Sequence, residues 1–347
     1  MKKRGEVIGL GKKGVYDYDH GDYIDDDERD RTVPPRERKK NSKRRHFRRV
    51  FCFFLVLILI LSGTTGALAA TLLDRMHINE KNINGNVYID QTKLTKSSTV
   101  TNILLLGVDK RSESEKTCRS DTMILLSMDK QNRGVKVTSF MRDCWVYIPD
   151  HGYDRLNAAC SYGGYQLVMD TIEYNFNINI DSYVLVDFDA FIQIVDSIGG
   201  IRLEVTEKEA QYMNETGFGE MKSGENVTLT GEEALWYARI RYLDSDFSRT
   251  SRQRKIITAL LDDVKTSNPI TLVQAMYESM PLIETDLTKK EMVSLSLNAS
   301  LYLTEKPKEF RIPVDAGYTN ATIDSKQVLK LDLEKNKKEL KAFIYGK

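Results

Sequence analysis

The chain has 347 residues, 41% hydrophobic and 29% charged, the proportions of an ordinary globular protein of one to three domains. Four cysteines and four histidines, with no CxxC or HxxxH spacing among them, argue against a zinc site and a histidine-based catalytic triad. The net charge of +1 is unevenly placed: up to Arg49 there are 16 Lys+Arg against 10 Asp+Glu, leaving −5 for the rest.

Residues 1–49 read as a disordered tail, polar and charged, with DYDHGDYIDDDERDR and a Pro-Pro pair. Its basic patch KKNSKRRHFRR abuts the apolar run Val50–Leu73, which carries no charge. At ~1.5 Å per residue the run reaches about 36 Å, enough to cross a bilayer core with tilt. Basic residues stay on the cytoplasmic side, so the patch sets topology: a single-pass plasma-membrane anchor, its tail inside and the C-terminal bulk outside. The same patch carries no helix-turn-helix pattern, and nucleic acid is not expected as a partner. ALA-A at the end of the run resembles a signal-peptidase site, but the charged region before the run is very long for a cleaved leader.

Residues 74–98 read as a polar extracellular stalk, and the exported domain covers 99–347, with its core motifs at 101–260. ILLLGV, TMILLSM and VKVTSF are three apolar strands, the last two joined by the turn DKQNRG. Gly163–Asn175 is a helix, SYVLVDF a strand, DAFIQIVDSIGG a helix stopped by glycines, and IRLEV a strand. Thr230 with Glu233, and Thr288 with Glu291, are capping boxes opening two more helices. Between them SRTSRQRKIITALLDDVK is an amphipathic helix with Ser248 as its N-cap. FRIPV is a late strand and SKQVLKLDLEKNKKELKAFI a final helix. The alternation without repeats predicts one α/β (mixed α+β) domain, a central mixed β-sheet flanked by helices.

Charged residues gather at the ends of these elements. Asp109 and Arg111 follow the first strand; Arg119 and Asp121 precede the second, and strand ends are where α/β sheets bind ligands. Arg142 follows the third strand. Arg239 and Arg241 are two apart, so they share a site only if their helix ends there. Arg249, Arg252 and Gln253 fall at i, i+3 and i+4 on one helix face. Arginine offers a planar fork that matches phosphate oxygens, and paired aspartates beside it suit a hard divalent cation. The combination points to a diphosphate substrate. For any one residue alone the competing explanation is an ordinary surface ion pair. The exported cysteines, Cys118, Cys144 and Cys160, allow one pair at most: Cys118–Cys144 is favoured because both flank these charged segments, with Cys144–Cys160 the close alternative.

In unbroken order, LLLGVDKR, RSDTMILLS, SFMRDCWVYIP, RLNAACSYGG, LVDFDAFIQIVDSIGGIRLEV and LTGEEALWYARIR…DFSRTSRQRKII resemble the LytR–CpsA–Psr family of bacterial cell-envelope proteins over residues 101–260. The resemblance implies an anchored phosphotransferase that moves an undecaprenyl-pyrophosphate-linked glycopolymer onto a peptidoglycan acceptor, with teichoic acid or capsular polysaccharide as cargo. It implies Mg²⁺ (or Mn²⁺) on Asp109 and Asp121. Arg119, Arg142, Arg239, Arg241, Arg249 and Gln253 would bind the pyrophosphate. Arg111 and Arg252 match motif positions, and Asp246 would orient Arg249 or move a proton. The expected catalytic set is thus Asp109, Asp121, Arg142, Asp246 and Arg249. Met141 and Cys160 depart from the family pattern, which commonly has proline and an aromatic residue there. The implied lipid tunnel needs apolar walls, which the strand and helix runs would supply unless they are simply core. Two other functions use the same residues: a lipid-pyrophosphate hydrolase with water as nucleophile, and a non-catalytic envelope regulator that binds anionic polymer.

Overall fold

The computed structural model describes residues 14–16, 23–25, 75–82, 85–108, 120–218, 220–240, 243, 245–266, 268–302 and 304–346. The expected membrane span therefore lies outside the described residues, and among those described no helix is long and apolar enough to cross a membrane. The chain divides into two units, Met1–Arg45 and His46–Lys347. In the first, strands β1 (Gly14–Tyr16) and β2 (Tyr23–Asp25) pair antiparallel.

The second unit is built on a seven-stranded mixed sheet in the order β13-β6-β5-β4-β9-β12-β3. Its strands are β3 (His77–Ile78), β4 (Val100–Val108), β5 (Ser120–Asp129), β6 (Gly134–Phe140), β9 (Ser182–Asp187), β12 (Ile283–Thr285) and β13 (Lys308–Ile312). A four-stranded sheet, β14-β15-β7-β8, joins β7 (Cys144–Ile148), β8 (Gly152–Arg155), β14 (Tyr318–Ile323) and β15 (Lys326–Leu331). β10 (Ile201–Val205) pairs with β11 (Gly224–Leu229). The helices are α1 (Ala158–Phe176), α2 (Phe188–Ser197), α3 (Glu207–Met213), α4 (Gly231–Arg239), α5 (Asp246–Thr266), α6 (Pro269–Ser279), α7 (Lys289–Tyr302) and α8 (Leu333–Tyr345).

The apolar strands are buried on both faces, which is why they read as continuous hydrophobic runs. Leu104, Leu106, Met123 and Leu125 turn one way, into the main core with Ile172 and Phe176 of α1 and Leu340 and Ile344 of α8. Ile124, Val135 and Val137 turn the other way, toward Ile257 and Leu261 of α5 and Tyr302 of α7. Each fully buried leucine of this kind contributes about 1.5–3 kcal/mol. These runs are thus core. A separate core joins β10 and β11 to α2, α3, α4 and α5.

The mixed α/β expectation holds, with instructive departures. The capping boxes at Thr230–Glu233 and Thr288–Glu291 both form. Residues expected as a stalk pack on the domain: β3 adds to the sheet edge beside β12, and Asn86 and Leu94 are buried. The long helix starts two residues before Ser248, with Ser245 Oγ accepting from the Ser248 N–H. The expected final helix is a strand, β15, followed by α8. Asp332 breaks them apart by accepting from the Lys335 N–H as the N-cap of α8. The cysteine expectation is corrected. Cys144 is a fully buried free thiol on the core side of β7, and Cys160 is the disulfide-bonded one. Cys144 therefore belongs to neither expected pair; burial pushes its thiol pKa up and leaves it unreactive.

Candidate functional site: an arginine–carboxylate cluster at the strand ends

β4 and β5 pair regularly until their shared end, where the register shifts between Gly107 and Val108. Gly107 faces Thr122 while Val108 faces Ser120, so Asp121 is the extra residue of a β-bulge. Bulges re-aim side chains, and this one is held by close packing: a Cβ on Gly107 would come within 3.0 Å of the Thr122 Cβ. Asp121 is thereby turned to Arg142, in the turn between β6 and β7, whose Nη1 donates to Asp121 Oδ1 at 2.8 Å.

Arg142 is the hub of the site. Its Nε donates to Asp143 Oδ2 at 3.4 Å, and its Nη2 lies 3.8 Å from Asp246 Oδ2. Asp246 opens α5 and sits 2.9 Å from Arg249 Nη1 one turn on, while Arg155 Nη1 at the end of β8 donates to Asp143 Oδ1 at 3.1 Å. Three arginines and three carboxylates from four segments thus meet. Burial pulls the Arg142 pKa down, but the hydrogen bond and charge of Asp121, with Asp143 and Asp246 behind it, outweigh that and hold the guanidinium above its ordinary value. The site is not sealed: the side chains of Asp121 and Asp246 keep 43% and 38% of their exposure, Arg142 20%. A permanently charged, half-sheltered fork beside accessible carboxylates can hold phosphate oxygens and a hard cation together.

Of the expected residues, the structure brings together Asp121, Arg142, Asp246 and Arg249. Gln253 lies half-buried on α5, one turn beyond Arg249. Arg239 is exposed at the end of α4, its guanidinium over the rings of Phe188 at 4.7 Å and Trp236 at 5.4 Å. Arg252 is placed elsewhere: it is buried, donates to the Ile240 carbonyl at 2.9 Å and to Glu209 Oε1 at 3.4 Å, and belongs to the packing of α3 and α4. The i, i+3 spacing from Arg249 is correct, yet the long side chains diverge. Asp109, Arg111, Cys118, Arg119 and Arg241 lie outside the described residues. Asp143 and Arg155 join the cluster without having been singled out. Their signals were available: Asp143 is the neighbour of Arg142 in SFMRDC, and Arg155 opens RLNAAC.

No group of three or more His, Cys, Asp or Glu poised for a metal exists among the described residues. Mg²⁺ needs only one or two carboxylates plus phosphate oxygens, and the half-exposed Asp121 carboxylate is a hard donor of the right kind.

The chain is 36% identical over 200 residues to the polyisoprenyl-teichoic acid–peptidoglycan teichoic acid transferase TagU of Halalkalibacterium halodurans, covering 56% of this chain and 64% of that one. The alignment thus spans less than two thirds of the relative's length. A solved structure of TagT bound to LIIa-WTA superposes with a TM-score of 0.62 at 27% identity, over 77% of this chain and 99% of that one. A TagT with bound octaprenyl pyrophosphate lipid superposes with a TM-score of 0.58 at 26% identity, over 77% and 99%. The model of the LytR_cpsA_psr family matches residues 64–342, and the chain belongs to that family.

Proposed function

We propose that this protein is a membrane-anchored phosphotransferase that moves a polyprenyl-pyrophosphate-linked glycopolymer, of teichoic acid or capsular type, onto peptidoglycan outside the cell. The observation that carries it is the Arg142 hub, with Asp121, Asp143, Asp246 and Arg249 around it at the sheet's strand ends. The names of the relatives, teichoic acid transferases, and the pyrophosphate lipid in one of them support the same reading.

Phosphoryl transfer needs positioning and charge neutralisation more than covalent help from the protein. Arg142 and Arg249 would clamp the diphosphate oxygens, and Arg155 would fix Asp143 against Arg142. An acceptor hydroxyl oxygen attacks the phosphorus that carries the polymer. The bond to the bridging oxygen breaks, polyprenyl phosphate leaves, and the hydroxyl proton passes by way of Asp246 to solvent. The arginines matter most at the leaving group, where negative charge grows. Asp121 and Asp109 would hold Mg²⁺ or Mn²⁺, whose chemistry when bound is to neutralise diphosphate charge. Val50–Leu73 would serve as the anchor, with the basic tail cytoplasmic.

The test uses the full-length chain in detergent with a polyprenyl-diphosphate-linked glycopolymer, with and without peptidoglycan acceptor. Polymer appearing on the acceptor, dependent on divalent cation, is the expected result. Free phosphorylated polymer at the same rate with or without acceptor would make the protein a hydrolase, and binding without turnover would make it a regulator.

A further inference from the structure

A cavity of about 530 Å³ opens directly beside the cluster, between the turn carrying Met141 and Asp143, the first turn of α5, and the β14–β15 hairpin. We propose that it is the subsite for the acceptor saccharide, taking an uncharged N-acetylated sugar of the glycan and presenting its hydroxyl at Asp246. This rests on the transfer reading above and adds to it the place and chemistry of the second substrate.

Register and charge carry the inference. In the hairpin, Thr322 faces Gln327 and Asn320 faces Leu329. Side chains alternate across a strand, so Asn320, Thr322 and Gln327 share the face that lines the cavity. Two amides and a hydroxyl supply both donors and acceptors without charge, as sugar hydroxyls and acetamido groups require. All three are exposed and make no side-chain hydrogen bond to another described residue. Phe247 provides an apolar wall and is fixed in place, its ring 5.3 Å from that of Tyr318 and 4.3 Å from the Arg311 guanidinium. A few polar groups set in an apolar wall are the composition of a small-molecule pocket, and the volume lies within the range such pockets take.

The charge on the lining separates acceptor from donor. Among the described residues that line the cavity, Asp143 and Asp246 are charged and none is cationic. A phosphate-bearing polymer entering here would meet two carboxylates, whereas a neutral sugar would not. The diphosphate belongs on the arginine side of the same carboxylates. Asp246, which touches both Arg142 and the cavity, then stands between the two substrates where the hydroxyl must lose its proton.

The experiment varies acceptor and donor separately, using full-length wild type, Thr322→Trp, Asn320→Ala and Gln327→Ala with soluble peptidoglycan oligosaccharides and a short polyprenyl-diphosphate-linked glycan. Thr322→Trp, which fills the cavity from an exposed position, is expected to raise the acceptor KM at least tenfold, and each alanine variant a few-fold. Donor KM should stay within twofold and thermal stability close to wild type. Saturation-transfer NMR of the oligosaccharide, which needs no turnover, should lose its signal in Thr322→Trp. An unchanged acceptor KM in folded Thr322→Trp, or a rise in donor KM instead, overturns the inference and leaves the transferase reading standing. A wild type that consumes donor but modifies no saccharide overturns the transferase reading; oligosaccharide binding lost in Thr322→Trp would in that case still support the subsite.

Discussion

Two arginines three residues apart on α5 have opposite fates. Arg249 reaches Asp246 in a cluster where Asp246 and Asp121 remain about two-fifths exposed. Arg252 is buried against Glu209, whose side chain keeps only 10% of its exposure. Glu209 also closes the capping box of α3 with Thr206 and accepts from the Tyr237 hydroxyl at 3.2 Å. Both arginines pair with a carboxylate, so pairing alone does not mark a functional site. What distinguishes them is whether the carboxylates are already committed to the fold or still open to a ligand.

That contrast makes opposite demands on mutants. Arg142→Ala should cut transfer by about 10²–10³-fold, the usual cost of one preorganised charge-stabilising group, while unfolding temperature changes little. Comparing kcat/KM with thermal melting of the same preparation checks this, and a large stability loss with normal specific activity would invert the assignment. Arg252→Met should do the reverse. It strands Glu209 in a buried setting, at a cost of about 3–5 kcal/mol by the general behaviour of broken buried pairs, and the protein that remains folded should keep wild-type kcat. Denaturant unfolding beside single-turnover kinetics separates the two. A folded Arg252→Met with greatly reduced diphosphate affinity would move Arg252 into the site.

A third arm concerns carboxylates that belong wholly to the fold. Burial pushes Glu173 up to about 7 and Asp170 up to about 6. In the unfolded chain both ionise in the ordinary carboxylate range, so between there and the folded values the native state holds more protons. Stability is therefore lost as pH rises through about 5 to 7, and the loss is complete above the folded values. Glu173→Gln keeps an acceptor for the Ile180 N–H, which bonds Glu173 Oε1 at 2.7 Å, and removes the charge. It should raise the unfolding temperature by several degrees at pH 8 and hardly at all at pH 5. An equal rise at both pH values would mean that the burial penalty is not felt.

The same distinction explains what the sequence made legible. β4, β5 and β6 were readable because burial on both faces writes an unbroken apolar run, and the capping boxes because they are local chemistry. β15 reads as helix in the sequence because KQVLKLDLEK has apolar residues at helical as well as strand spacing; its pairing with β14 and β7 is a long-range fact. β7, β8 and β14 are short strands without strong punctuation. In the site, Asp121, Arg142, Asp246 and Arg249 were legible from residue type and motif order. The fate of Arg252 was not, since helical periodicity gives the direction of a Cβ and leaves the end of a long, flexible side chain free to choose Glu209. Nor was the bulge that turns Asp121, which depends on the packing of Gly107 against Thr122.

The central claim, that the Arg142 cluster holds diphosphate and cation jointly, is tested most directly by binding. Calorimetry on the full-length chain in detergent would measure Mg²⁺ affinity with and without a polyprenyl diphosphate, and diphosphate affinity with and without Mg²⁺. Weak Mg²⁺ binding alone, tightened by diphosphate by the same factor that Mg²⁺ tightens diphosphate, is the predicted result, because coupling between two ligands is reciprocal. Equal Mg²⁺ affinity with and without the diphosphate would contradict it and leave Asp121 as an ion-pair partner of Arg142.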